Sequence, residues 1–480
     1  MRVLLVASEA SPFIKSGGLG DVMGALPKEL SKNGLEVAVV IPKYKGINYE
    51  LKNKLEFQKW FMVEVGWRRK YCGVLKYYQD GVTYYLLDNE AYFDRDGLYG
   101  YYDDAERFAF FDRAVLKLLR QIDWRPDVIH CNDWQTGMIP VLLTLEYAKY
   151  DEFYRGIKTV YSIHNLLFQG VFDPKILPEL FGYDMEPYLN KSLEFDKGVS
   201  FMKGGINYSD KISTVSYTYA NEFRTPEYGE RLDGLLRERG YAIRGILNGI
   251  DYEEYNPQTD PYIYHQFGSD PYEAKRKNKI QLQKDLGLYQ KEDTPIIGLI
   301  SRLTRQKGID LVLYMIDRLL YDRDVQFVVV GNGDRDYEEA FWRLKDRWGD
   351  KISTNIRFDN NLAHKVYAAS DLFMMPSKFE PCGLGQLIAL RYGTIPIVRE
   401  TGGLKDTVVP YNEFNGIGNG FSFRNFNGDE LYNITDYALN IYWDKWKWNG
   451  IINQAMNSNN SWEKSAREYE KLYKEALCWY

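Results

Sequence analysis

The chain of 480 residues is poor in cysteine and histidine, with four of each. Cys72, Cys131, Cys382 and Cys478 lie far apart and form no CxxC pair. That spacing argues against a zinc ribbon and a disulfide scaffold, and no metal is expected. No apolar run reaches the roughly 18 residues of a membrane span. The apolar stretch at Met1 to Ala7 is too short for a signal peptide and passes straight into a folded pattern, so the expected location is the cytoplasm. A dominant charge is also missing. Lys and Arg number 61 against 67 Asp and Glu, a net charge of −6 without long runs, which is not a nucleic-acid binder's footprint. Two phosphate motifs are absent too. Counting from Gly18-x-Gly20, the third glycine of a dinucleotide fingerprint falls on Met23, which disfavours a nicotinamide or flavin. No GxxxxGK[ST] occurs, which disfavours Walker-type phosphoryl transfer.

What is present is a repeated α/β grammar. The length exceeds one ordinary core and fits two domains. Aromatics are abundant, with 40 Tyr, 24 Phe and 11 Trp. Tyr combines an apolar face with a polar tip and suits contact with sugars or flat rings, although compositional bias accounts for such an excess equally well. Residues 3–7 form a short apolar run, followed by the loop Lys15-Ser16-Gly17-Gly18-Leu19-Gly20-Asp21-Val22. A helix is predicted over 22–32, stopped by Asn33-Gly34, and a second apolar run covers 37–41. This is a βαβ unit. Residues 55–95 alternate aromatic and polar positions and read as inserted strands. Further strands are expected at 127–130, 159–163 and 211–215, with helices at 108–122 and 137–149 and Ser216 as an N-cap. The pattern breaks near 246, where the domain boundary is placed. After a helix at 275–285 the grammar restarts, with strands at 295–300, 325–330, 352–358, 371–376 and 394–398 and helices between them. A second doubly wound sheet is expected. The tail, 461–477, carries Trp462, Ala466, Tyr469, Leu472, Tyr473 and Ala476 at helical spacing, an apolar face in need of a partner.

In open α/β sheets ligands bind beyond the carboxyl ends of the strands. Lys15, Asp133 and His164 each fall just past such an end and are expected on one rim. In the second half Arg302 and Lys307 share one strand-end loop, Glu380 leaves the next strand, and Gly402-Gly403 opens a helix. Two cations and backbone N–H donors describe a diphosphate site. The glycines beside Lys15 let the backbone approach an anion closely. Glu380 suits sugar hydroxyls or an oxocarbenium-like centre. Asp133 and Glu380 together also suggest a hydrolase pair, but a hydrolase does not need the cation and glycine clamp.

Taken together, these blocks resemble the bacterial glycogen synthase and plant starch synthase family. The loop at 15–22 looks like its K-x-G-G-L-G-D-V signature. His164-Asn165 with Gln169-Gly170, Leu247-Asn248-Gly249-Ile250-Asp251, Ser301-Arg302-Leu303 through Lys307-Gly308, Phe379-Glu380-Pro381-Cys382-Gly383-Leu384 and Thr401-Gly402-Gly403-Leu404-x-Asp406-Thr407-Val408 follow in the family's order. The resemblance implies a GT-B fold: two Rossmann-like domains, 1–246 and 247–458, facing a cleft, with the terminal helix in 459–480 crossing back to the first. It implies transfer of glucose from ADP-glucose to the non-reducing end of an α-1,4-glucan with retention, without cofactor or metal. By matching motif, Arg302 and Lys307 bind the donor phosphates, supported by Lys15, Gly17, Gly18, Gly402, Gly403 and Leu404, and Asp21, Cys382, Gly383, Leu384 and Thr401 complete the substrate-binding set. Glu380 contacts the donor sugar, His164, Asp133 and Asn248 position glucose, and Phe358 stacks on adenine. One departure stands out: many retaining GT-B enzymes carry a second glutamate eight residues after the first, where this chain has Ile388. Other readings are a sucrose synthase-like or phosphorylase-like enzyme, a silent glucan-binding protein and an oxidoreductase.

Overall fold

The computed structural model describes residues 1–478. The chain divides into two compact units, Met1–Asn248 with Trp462–Tyr480, and Gly249–Ser461. The divisions fall after Asn248 and before Trp462, where 246 and 459 were expected. Asn248 is therefore the last residue of the first unit, not part of the second.

The first unit is built on β1 (Arg2–Val6), β2 (Glu36–Pro42), β3 (Glu56–Val65), β4 (Arg68–Gln79), β5 (Val82–Asp88), β6 (Val128–Asn132) and β7 (Lys158–Ile163). A small separate sheet follows, from β8 (Val171–Phe172), β9 (Glu194–Phe195) and β10 (Gly198–Ser200), and then β11 (Lys211–Thr214) and β12 (Ile243–Gly245). The main sheet runs β12-β11-β7-β6-β1-β2-β5-β4-β3. It is parallel from β12 to β5, and β4 and β3 join antiparallel. Its central strands are continuous apolar runs because both faces are covered, as parallel sheets require.

One face packs on the helix Asp104–Gln121 and its neighbours. The other packs on Gly18–Lys32 and on the closing helix Trp462–Ala476. All six apolar residues picked out in the tail are buried there. Burying a large apolar side chain contributes about 2 kcal/mol. The closing helix also has a polar anchor. His130, buried on β6, places Nδ1 2.8 Å from Tyr473 Oη and Nε2 2.6 Å from Ser162 Oγ. Burial, with His164 nearby, drives its pKa down to about 3, so it is neutral.

The second unit carries β13 (Ile296–Ile300), β14 (Gln326–Val330), β15 (Ile352–Asn355), β16 (Leu372–Met375), β17 (Ile395–Arg399) and β18 (Phe421–Phe423). They form one parallel sheet in the order β15-β14-β13-β16-β17-β18. Helices Ile309–Asp322 and Gly428–Trp443 pack against each other and share its core. Among the described residues no helix is long and apolar enough to cross a membrane.

Three local readings are corrected. The first helix starts at Gly18, not 22, so part of the glycine loop is its opening turn. The helix read at 137–149 is a succession of short segments, Met138–Leu142, a wide π turn Leu143–Tyr147 and Ala148–Tyr150. Strand β15 stops at Asn355, because Asp359 caps the next helix by accepting the Leu362 N–H, and Phe358 lies in the connection.

Candidate functional site

Both sheets reverse their strand order next to the first strand of the unit, between β1 and β6 and between β13 and β16. These switch points are where doubly wound sheets open a crevice for ligands. In the first unit Lys15 to Gly18 follow β1, Asp133 follows β6 and His164 follows β7. In the second, Arg302 and Lys307 follow β13, Glu380 follows β16 and Gly402 follows β17. The candidate residues thus gather on adjacent strands in each unit. Phe358 does not. It follows the edge strand β15, two strands from β13, and is 81% exposed.

In the second unit the centre is Glu380, a buried carboxylate. Its Oε2 accepts from Lys307 Nζ at 2.5 Å and from Ser377 Oγ at 3.1 Å. A charge-assisted pair of this length, shielded from water, fixes both side chains. The Lys307 loop is docked on the Glu380 loop through Gly308, whose φ is 73° and where a Cβ would lie 2.1 Å from Pro376 O. Lys378 N–H donates to Gln306 O at 2.8 Å. Arg399, buried at the end of β17, donates through Nε to Ser377 O at 2.9 Å and through Nη2 to Lys378 O. Gln386 holds the far side of the loop, its Nε2 reaching Cys382 O and Gly383 O at 3.0 Å each and Thr407 Oγ1 at 3.2 Å. Arg302 is exposed on the same rim.

The glycine pair changes meaning in this setting. Gly403 N–H donates to Glu380 O at 3.2 Å and Pro381 O at 3.1 Å, and Leu404 N–H donates to Thr401 O. The Gly403 N–H, read from sequence as part of an anion cradle, braces the Glu380 backbone here, and the Leu404 N–H closes the turn on Thr401. Cys382, Thr401 and Leu404 are buried parts of that brace, and Gly383 turns it with φ 75°.

In the first unit Lys15 Nζ lies 2.8 Å from Asp21 Oδ1, both partly exposed. Gly17 and Gly18 are exposed. Ser16 N–H donates to the buried carboxylate of Glu9, which tethers the loop. Burial raises the Glu9 pKa against the lowering pull of Ser16. Asp133 sits at φ 56°, ψ −178°, close to a region that only glycine visits freely, at a cost of about 1–3 kcal/mol. Its N–H is held by Ser162 O at 2.9 Å, and its Oδ1 accepts the His164 N–H at 2.8 Å. Burial pushes the Asp133 carboxyl up to about 7, only partly offset by the His164 and Asn165 N–H groups. His164 Nε2 lies 2.9 Å from Asn132 Oδ1, while the Asn132 amide nitrogen donates to Val6 O. Nε2 therefore carries the proton and Nδ1 is left as an acceptor. Burial lowers the His164 pKa to about 4. Asn248 is buried with Oδ1 unpartnered.

Two family descriptions match the chain: starch synthase catalytic domain over residues 2–238, and glycosyl transferases group 1 over residues 283–446. The glycogen synthase of Clostridium botulinum (strain Alaska E43 / Type E3) is 66% identical over 475 residues, covering 99% of each chain. The chain belongs to the glycogen synthase family. The glycogen synthase of Clostridium perfringens (strain 13 / Type A) is 62% identical over 477 residues, covering 99% of this chain and 98% of that one. Among solved structures, the catalytic domain of starch synthase IV from Arabidopsis thaliana, bound to ADP and acarbose, matches with a TM-score of 0.91 at 33% identity over 99% of both chains. A sucrose-phosphate synthase from Thermosynechococcus elongatus matches at TM-score 0.62 and 16% identity, a likeness of fold alone. As a glycogen synthase family member with a GT-B fold, the chain is a glycosyltransferase that transfers glucose in storage-polysaccharide synthesis. Ser377, Arg399, Gln386 and Glu9 had no signal in the sequence that marked them.

Proposed function

We propose that the chain passes glucose from ADP-glucose to the non-reducing 4-hydroxyl of an α-1,4-glucan, with retention of configuration, in the cytoplasm and without a metal or cofactor. The observation that carries this reading is the second unit's cluster, two cations and a buried carboxylate on neighbouring loops at the switch point. Arg302 and Lys307 neutralise the diphosphate and stabilise it as it leaves. Glu380 contacts the donor sugar, and its bonds to Lys307 and Ser377 hold it in one orientation. Asp133, His164 and Asn248 position glucose. Lys15, with Asp21, and the exposed Gly17-Gly18 backbone receive phosphate. Cys382, Gly383, Thr401, Gly402, Gly403 and Leu404 support the Glu380 loop, and Phe358 offers a free ring face to adenine. The ADP and acarbose held by the related starch synthase support the choice of a nucleotide donor and a glucan acceptor.

The test supplies labelled ADP-glucose or UDP-glucose with glycogen, with and without a chelator. Incorporation from ADP-glucose in the chelator is expected, and none from either donor would sink the reading. Glu380→Ala is expected to lower kcat about a thousandfold. Lys307→Ala is expected chiefly to raise the donor KM. Full activity in both variants refutes the assignment.

A further inference from the structure

The loop that follows β1 carries a conflict of charge. Lys15 Nζ pairs with Asp21 Oδ1 at 2.8 Å, so that cation is already matched. Behind the loop lies a second carboxyl, Glu9, which is 3% exposed. Glu9 accepts from the Ser16 N–H and from the Ser16 hydroxyl, and the charges of Asp21 and Lys15 both act on it. With Glu9 ionised, Lys15, Asp21 and Glu9 together carry one negative charge. Yet the next two residues, Gly17 and Gly18, are the exposed backbone offered to phosphate. A net negative lining opposes a diphosphate, and one proton removes the opposition.

The other groups that face Glu9 do not supply a balancing cation. Tyr44, after β2, is buried, and burial raises its pKa, so it is neutral. Arg107 and Asp104, whose charges also act on Tyr44, pair with each other at 2.5 Å. Tyr99, bonded to Ser8 Oγ at 2.7 Å, is likewise kept neutral by burial. Asp133, after β6, is a like charge whose carboxyl burial pushes up to about 7. Burial also raises Glu9, against the lowering pull of Ser16. Ser16 suits either state of its partner. A carboxylate accepts its N–H and its hydroxyl, whereas a carboxylic acid accepts the N–H on one oxygen and gives its own O–H to Ser16 Oγ. The loop therefore stays tethered when a proton arrives.

We propose that Glu9 takes up a proton from solvent when the donor's diphosphate settles on the glycine loop, and that this proton strengthens donor binding. The proposal rests on the phosphate role given to Gly17-Gly18 above. By linkage the two events are reciprocal: the anion favours the proton on Glu9, and the proton favours the anion. The proton takes no part in glucosyl transfer. Glu9 is thus a positioning residue, acting through Ser16 and through its own charge. A sugar nucleotide suits such a device, because its diphosphate is esterified at both ends and does not titrate near neutral pH. The protein alone carries the proton.

The test is calorimetry of ADP-glucose binding to the full chain, without acceptor, in buffers of different ionisation enthalpy, which counts the protons taken up. The donor KM is followed alongside from about pH 5 to 8. Wild type is expected to bind with net proton uptake. Glu9→Gln copies the protonated acid and its two Ser16 bonds, and should take up less. Asp133 titrates in both proteins, so their ratio isolates Glu9. The ratio of wild-type to Glu9→Gln KM should grow about tenfold from the acid to the alkaline end. Ser16→Ala removes a bond that favours the charged form, so its KM should begin to rise at a higher pH than that of wild type. A merely structural Glu9 gives one KM offset at every pH with unchanged uptake, and that result overturns the proposal. If Glu9→Gln does not fold, an unshifted Ser16→Ala profile overturns it. Wild type that binds ADP-glucose without uptake overturns the proposal alone, whereas wild type that does not bind ADP-glucose overturns the donor reading with it.

Discussion

The two glycine loops look alike in sequence and behave differently in structure. In the second unit, a Cβ on Gly402 would lie 1.9 Å from Glu380 O, and one on Gly403 2.1 Å from Cys382 O. Those glycines exist because the backbone of the Glu380 loop passes against them. In the first unit, a Cβ on Gly17 would meet nothing within 4 Å, and its φ of −167° suits any residue. Gly20 is needed locally, since a Cβ there would lie 2.4 Å from Lys15 Cβ. Gly17 is not required by its own protein. A glycine unexplained from within leaves its backbone open to an approach from outside, which under the proposed function is that of the donor's phosphate.

Breaking the packed loop gives the largest effect. Gly402→Ala combines a clash with φ 45° and is expected to cost about 3 kcal/mol, measured by denaturant unfolding, and to take activity with it. Gln386→Ala removes the amide that gathers Cys382 O, Gly383 O and Thr407 Oγ1, with an expected loss of about 2 kcal/mol.

On the first unit's rim, two titrations oppose each other. Asp133 has a folded pKa raised to about 7, so its contribution to stability is full at low pH and is lost as pH rises from about 4 through 7. His164 has a folded pKa lowered to about 4, so its contribution is full above about 6.5 and is lost as pH falls towards 4. Asp133→Asn leaves the histidine alone, and relative to wild type its Tm should climb from pH 4.5 to 7. His164→Asn should show the reverse slope. Parallel profiles for both variants and wild type would remove burial as the cause of the shifts. The smallest effect sharpens the comparison most. Gly17→Ala is expected to change stability by no more than about 0.5 kcal/mol while raising the KM for ADP-glucose about tenfold. An equal loss of stability in Gly17→Ala and Gly402→Ala would erase the distinction between the loops.

Much of this was legible in the residues. The βαβ grammar survives because parallel strands are continuous apolar runs and the helices between them keep a 3.6 period. The tail helix was readable for the same reason, Trp462 to Ala476 forming one unbroken stripe. The strand-end positions of Lys15, Asp133, His164, Arg302, Lys307 and Glu380 were legible because strand ends are where such sheets expose side chains. The braces Arg399 and Gln386 left no signal, because they bond largely to backbone carbonyls, and a carbonyl leaves no trace in sequence. The bracing bonds of Gly403 were not legible on similar grounds, since the pattern shows N–H donors and not which oxygens already hold them. Phe358 reads as strand because the alternation Ile352, Thr354, Ile356, Phe358 carries the period past Asn355, up to the cap at Asp359.

The closing helix has a consequence for how the chain is made. The segment Gly249–Ser461 is an insertion between a sheet and the helix that covers it. During synthesis, that inserted unit emerges with every strand of its sheet before the first unit can finish. Until Trp462–Ala476 has left the ribosome, part of the first sheet's apolar face is open to water and His130 lacks Tyr473. A nascent chain in this state exposes surface of the kind that holdase chaperones bind and that aggregates form from. The bond between residues 130 and 473 is therefore also a late checkpoint, marking a first half that can close only after the second has been made.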